Sequence, residues 1–71
     1  MDFELRSEFI QLDKLLKLSG VADSGGMAHA LVKDGNVMLN GDIITEKRRK
    51  IHIGDVVSFT ISDLGDNITV R

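Results

Sequence analysis

Leu31-Val32-Lys33-Asp34-Gly35-Asn36-Val37-Met38-Leu39-Asn40-Gly41-Asp42-Ile43-Ile44-Thr45-Glu46-Lys47-Arg48-Arg49-Lys50 reads as a helix end, a strand, a tight turn, a second strand and the chain's only concentrated charge. Gly35 follows a helical pattern. The residue just past a helix end must often take φ > 0, which Gly does without a Cβ penalty, so Gly35 is the expected stop. Asn40-Gly41 stands between Val37-Met38-Leu39 and Asp42-Ile43-Ile44. A two-residue type I′ turn needs φ > 0 at both central positions, and Asn-Gly meets that demand best. A hairpin is expected there. Its second strand delivers Lys47-Arg48-Arg49-Lys50 at or just beyond its far end, four like charges that must face water or an anionic partner.

Toward the N-terminus, Met27, Ala28, Leu31 and Val32 form the apolar stripe of a helix, with His29 and Lys33 four apart on the other side. Asp23 or Ser24 offers a side-chain oxygen to cap it. Before that, Leu12, Leu15 and Leu16 recur at helical spacing with Leu18 beside them, while Lys14 and Lys17 share the opposite face. This first helix should end at Ser19-Gly20. Phe3 and Leu5 alternate with Asp2, Glu4 and Arg6 as a short half-buried strand does. Toward the C-terminus, Ile51 and Ile53 alternate around His52, and Gly54-Asp55 signals a turn. Val56, Val57, Phe59 and Ile61 read as a strand, Asp63-Leu64-Gly65-Asp66-Asn67 as a loop, and Ile68 and Val70 as a last strand. The expected fold is α+β, an αα-hairpin packed on a small, twisted, mostly antiparallel sheet.

With 71 residues, the chain is expected to form a single domain over residues 1–71, near the lower limit for a core without staples. It has no Cys, so neither disulfides nor a thiolate metal site supplement that core. No apolar run approaches a membrane span, and the N-terminus lacks a basic start followed by an apolar block, so a cytoplasmic protein without membrane contact is expected. Net charge is −2, but it is unevenly spread. Residues 1–46 hold four Lys/Arg against eight Asp/Glu, residues 47–50 carry only positive charge, and residues 51–71 hold one Arg against three Asp. Such a field orients an approaching polyanion although the sum is negative.

Taken together, Leu12-Asp13-Lys14-Leu15-Leu16, Ala28, Leu31 to Gly41 with its Val-x-Leu-Asn-Gly, and Ile51-His52-Ile53-Gly54-Asp55-Val56-Val57 resemble the RNA-binding domain named after ribosomal small-subunit protein four. The resemblance spans residues 11–59. It implies an αα-hairpin on a small sheet that binds structured RNA, ribosomal or transfer RNA, without catalysis and without a cofactor. Where that family commonly has Arg before Leu-Asp the chain has Gln11, and at two Arg positions of the second helix it has Gly25 and His29. The Ser24-Gly25-Gly26-Met27-Ala28 start and the basic run before Ile51 are similar to the small stand-alone bacterial members, and a monomer is expected. A ribosomal or protein partner is also compatible.

The expected RNA-binding side chains are Lys14, Lys17, His29, Lys33, Lys47, Arg48, Arg49 and Lys50, with phosphate contact as their chemistry. An isolated four-residue basic run is more commonly a solvated turn, and a single exposed Lys an ordinary surface residue; the resemblance turns this run toward RNA. Gly25 and Gly26 at a helix N-terminus permit backbone approach to a phosphate, or serve only a permissive turn or tight packing. Ser24 and His29 lack an oxyanion site, and the two His residues lack metal-ligand spacing. Phe3, Phe9 and Phe59 are the only aromatics, and few exposed rings favour a duplex or folded RNA over a single strand. The alternative is a protein-interaction adaptor that keeps this fold without binding RNA, meeting its partner through the acidic surface or the hairpin edge.

Overall fold

A computed structural model describes all residues, Met1–Arg71. Two helices, α1 (Leu12–Leu18) and α2 (Gly25–Lys33), connect into strands β3 (Val37–Leu39) and β4 (Asp42–Ile43). Two short strands precede them, β1 (Asp2–Phe3) and β2 (Ile10–Gln11), and three follow, β5 (Lys50–Ile51), β6 (Val56–Ile61) and β7 (Leu64–Val70). Five strands form one sheet in the order β1-β7-β6-β3-β4, while β2 and β5 form a separate two-stranded sheet. Only the β1–β7 pair is parallel. The α+β reading, mostly antiparallel, describes this architecture.

The punctuation in the opening stretch does what its residues demand. Gly35 has φ +76°, its N–H donates to the Val32 carbonyl at 3.1 Å, and the Asn36 N–H donates to Leu31 at 3.0 Å. These two bonds close the last turn of α2 and satisfy carbonyls that a helix end otherwise leaves to solvent. Asn40 and Gly41 take φ +51° and +91°, and Leu39 pairs with Asp42 across them, as a type I′ hairpin requires. At the start of α2, Ser24 Oγ accepts the Met27 N–H at 3.1 Å, so Ser24 and not Asp23 is the cap.

The sheet buries one face. Val37 and Leu39, Val57 and Phe59, and Ile68 and Val70 are buried at alternate positions of β3, β6 and β7, the period-2 pattern of a half-solvated sheet. Leu12, Leu15 and Leu16 from α1 and Ala28, Leu31 and Val32 from α2 join them in one cluster without a buried polar side chain.

Three expectations need correction. Leu18 is 69% exposed: α1 stops there, and its position falls off the stripe set by Leu12, Leu15 and Leu16. Ile53 is 61% exposed because the strand at Ile51 ends in a turn. There the Asp55 carboxylate accepts the His52 N–H at 2.8 Å and the Asp55 N–H donates to the His52 carbonyl at 3.1 Å. Residues 63–67 are not a loop. Ser62 and Asp63, with φ +51° and +65°, make a two-residue turn, and β7 pairs from Leu64 onward with β6, Ile61 opposite Leu64.

Candidate nucleic-acid interface

The basic run lies against the beginning of α1. Gln11 of β2 pairs with Lys50 of β5. The N–H of Leu12 donates to the Arg49 carbonyl at 2.9 Å and the N–H of Asp13 to the Lys47 carbonyl at 2.8 Å. The first N–H groups of a helix have no partner within it, and the Gln11 side chain makes no capping bond. Carbonyls of the basic run fill that role. The segment is therefore a strap whose backbone is tied to α1, with the side chains of Arg48, Arg49 and Lys50 exposed and that of Lys47 half-buried.

Those charges are not neutralised within the molecule. The ion pairs are Arg6 with Glu4 and Arg71 with Asp2, and His52 Nδ1 lies 3.9 Å from the Asp55 carboxylate; Lys47, Arg48, Arg49, Lys50, Lys14, Lys17 and Lys33 have no carboxylate at pairing distance. Beside the strap lies an open concavity of about 480 Å³, lined by Arg48, Arg49, Lys50 and His52 together with Leu39, Asn40, Glu46 and Asp55. Two of the lining residues are tied together: the Asp55 carboxylate accepts from Asn40 Nδ2 at 3.2 Å, and Asn40 Oδ1 accepts the Val56 N–H at 2.9 Å. A cleft this polar lacks the apolar walls of a small-molecule pocket, and its three cations, Arg48, Arg49 and Lys50, outweigh the carboxylates of Glu46 and Asp55, a balance that suits a polyanion.

On the other side of Lys50 stands Phe9, 36% exposed. The Lys50 ammonium lies 4.7 Å from its ring centroid, within cation–π reach, and the His52 ring is 6.4 Å away, tilted. Phe9 borders a second groove, of about 400 Å³, together with Ser7, Ile10, Gln11 and Lys14.

Of the residues expected from sequence, the structure gathers Lys47, Arg48, Arg49, Lys50 and Lys14 around the start of α1, with Lys17 exposed on the same helix. His29 and Lys33 are exposed on α2 and border neither concavity. Gly25 and Gly26 open α2 with ordinary φ; a Cβ at Gly25 would meet nothing within 4 Å, and at Gly26 only Ser24 Oγ at 3.8 Å. Packing does not demand glycine at either. Sequence reasoning missed Phe9, Gln11 and His52 as neighbours of the strap, since two-residue strands have no periodicity to read. No group of three or more His, Cys, Asp or Glu side chains converges as at a metal site, and no helix is long and apolar enough to cross a membrane.

A family model described as S4 domain matches residues 3–70. The chain belongs to the S4 domain family. This S4 domain is 39% identical over 51 residues to the Bacillus subtilis "Probable ribosome maturation protein RlbA", covering 72% of each chain. It is 42% identical over 50 residues to the Escherichia coli "Putative RNA-binding protein YbcJ", covering 70% of this chain and 71% of that protein. The solution structure of YbcJ, described as having an ALFAL motif involved in RNA-binding, superimposes with a TM-score of 0.67 at 33% identity, over 96% of this chain and 85% of that one. The S4 domain resemblance read from Leu12-Asp13, Val-x-Leu-Asn-Gly and Gly-Asp-Val-Val is thus a family relationship, and it includes the helices and sheet that hold the strap.

Proposed function

We propose that this protein binds structured RNA, without catalysis, through the strap Lys47-Arg48-Arg49-Lys50 extended by Lys14 and Lys17. The observation that carries the reading is the pairing of a fixed backbone with free charge: the strap carbonyls are held by the Leu12 and Asp13 N–H groups, while no carboxylate pairs with its four cations. Unneutralised cations release counterions from a phosphate backbone, and a strap backbone that is already held does not have to be ordered when they do so. The names of the relatives point the same way, one for RNA binding and one for ribosome maturation, and favour ribosomal over transfer RNA as the target. His29, Lys33 and the Gly25-Gly26 helix start belong to the proposal as a more distant second contact. The protein acts in the cytoplasm as a monomer on this reading.

Replacing Lys47, Arg48, Arg49 and Lys50 together by Ala tests it. Affinity for structured RNAs of different sequence should fall alike, because backbone contacts carry little sequence information. With counterion release similar to that of duplex DNA, the log–log salt slope should shrink by roughly 0.9 per lost contact, about 3 to 4 units if all four engage. Stability should fall by less than about 1 kcal/mol, the scale of the lost Lys50–Phe9 contact, and Asp66→Ala should leave binding unchanged or slightly tighter. A folded quadruple variant with wild-type affinity and slope would sink the proposal and favour the protein-interaction adaptor.

A further inference from the structure

The groove beside Phe9 has the chemistry of a nucleobase site. Its ring is exposed, although the sequence offered almost no aromatic surface. Lys50 caps the ring at 4.7 Å but does not border the groove, which is formed by Ser7, Phe9, Ile10, Gln11 and Lys14; a planar group can enter without displacing the ammonium. The Ser7 hydroxyl already donates to the Phe9 carbonyl at 2.9 Å. The Gln11 amide, in contrast, makes no capping bond, and it carries a donor and an acceptor side by side. Lys14 borders the groove and Lys50 stands over the Phe9 ring, neither with a carboxylate partner.

We infer that this groove takes one unpaired base of the bound RNA, stacked on Phe9, with its edge hydrogen-bonded by Gln11 and its flanking phosphates on Lys14 and Lys50; the inference rests on the RNA-binding reading above. Recognition of RNA by proteins concentrates on bases that leave the stack, held on aromatic faces and read along their edges. A duplex presents phosphates to the strap, and a bulge adjoining it presents the base. The site thereby selects folded RNA with a local defect over continuous duplex.

The test uses two fluorescein-labelled RNA hairpins, one with a single bulged adenosine in its stem and one fully paired. Stacking on an aromatic side chain is worth roughly 1–3 kcal/mol per base, so the wild type should prefer the bulged hairpin by about fivefold or more. Phe9→Ala should lose that preference, read as the ratio of its affinities for the two hairpins, because losing the Lys50–Phe9 contact acts on both hairpins alike. The chain has no Trp, so Phe9→Trp installs a single reporter; its emission should be quenched by the bulged hairpin and not by the paired one. This variant preserves an aromatic platform, so it reads the site even if Phe9→Ala unfolds. Gln11→Ala should lower the preference for the bulged over the paired hairpin by removing the hydrogen bonds to the base edge. Equal wild-type affinities, a preference that survives Phe9→Ala, or unquenched emission would overturn the base site and leave the RNA reading intact. Binding to neither hairpin would remove both.

Discussion

Asn40→Asp is the most informative single perturbation of the fold, because it changes only which atom faces Asp55. In the wild type Asn40 Nδ2 donates to Asp55 Oδ1 at 3.2 Å, while Asn40 Oδ1 accepts the Val56 N–H. The side chain thus ties the β3–β4 turn to the beginning of β6. Asp tolerates the left-handed conformation nearly as well as Asn and keeps the acceptor for Val56, so backbone strain hardly changes. What changes is a lost donor, about 1 kcal/mol for a typical hydrogen bond, and a carboxylate facing a carboxylate. Two unit charges at the 3.2 Å of this contact repel by about 1.3 kcal/mol in a water-like dielectric. N40D should therefore cost about 2–2.5 kcal/mol near neutral pH, a large share of the roughly 4–11 kcal/mol expected of a chain this size. Adding Asp55→Asn restores a donor opposite an acceptor with the roles exchanged. It leaves an amide oxygen for the His52 N–H, now held by Asp55 at 2.8 Å. Urea denaturation of the wild type, both single variants and N40D/D55N forms a double-mutant cycle. The double variant should recover to within about 1 kcal/mol of the wild type, a coupling on the order of 2 kcal/mol. Losses that simply add would refute the claim that this contact holds the hairpin to the β5–β6 turn.

Three further outcomes are expected. Ser62 and Asp63 both have positive φ, so S62N/D63G should stabilise the β6–β7 hairpin by about 0.5–2 kcal/mol, read as a higher urea midpoint. Gly25→Ala has an unstrained φ and open space and should add about 0.4–1 kcal/mol of stability; weaker RNA binding by this more stable variant, in the same titration used for the strap, would mark the α2 start as a contact. Leu15→Ala should cost about 2–5 kcal/mol from the core, whereas Leu18→Ala should stay within about 0.5 kcal/mol, a difference that thermal melts of the two variants resolve directly.

The elements that could be read from sequence are those whose residues answer a local demand. Gly35 and Asn40-Gly41 were legible because few residues accept positive φ, and the α1 and α2 stripes because Leu12, Leu15, Leu16, Ala28, Leu31 and Val32 repeat at helical spacing. The first half of β7 was not. Gly65, Asp66 and Asn67 are poor strand formers, and they are held extended by their pairing with Thr60, Phe59 and Ser58, a tertiary constraint that overrides propensity. Ile53 misled because alternation predicts a strand, while the Asp55 carboxylate bends the chain there. At the interface the charge of Lys47-Arg48-Arg49-Lys50 was plain from composition. Its fixed backbone was not, because the donors that hold it sit on Leu12 and Asp13, far away in sequence. Phe9 and Gln11 became part of the surface through the same long-range pairing.

That backbone arrangement has a consequence for amide hydrogen exchange. First-turn amides of a helix ordinarily face water and lose their protons early, since no carbonyl of the helix covers them. The amides of Leu12 and Asp13 are covered by Arg49 and Lys47, so solvent reaches them only when the strap lifts from α1. Their exchange is a clock for that local opening, distinct from the unfolding that exposes the deeper amides of the helix. A bound polyanion that bridges the strap to Lys14 slows this clock in particular, and the same two protons that begin the helix report whether the surface beside them is occupied.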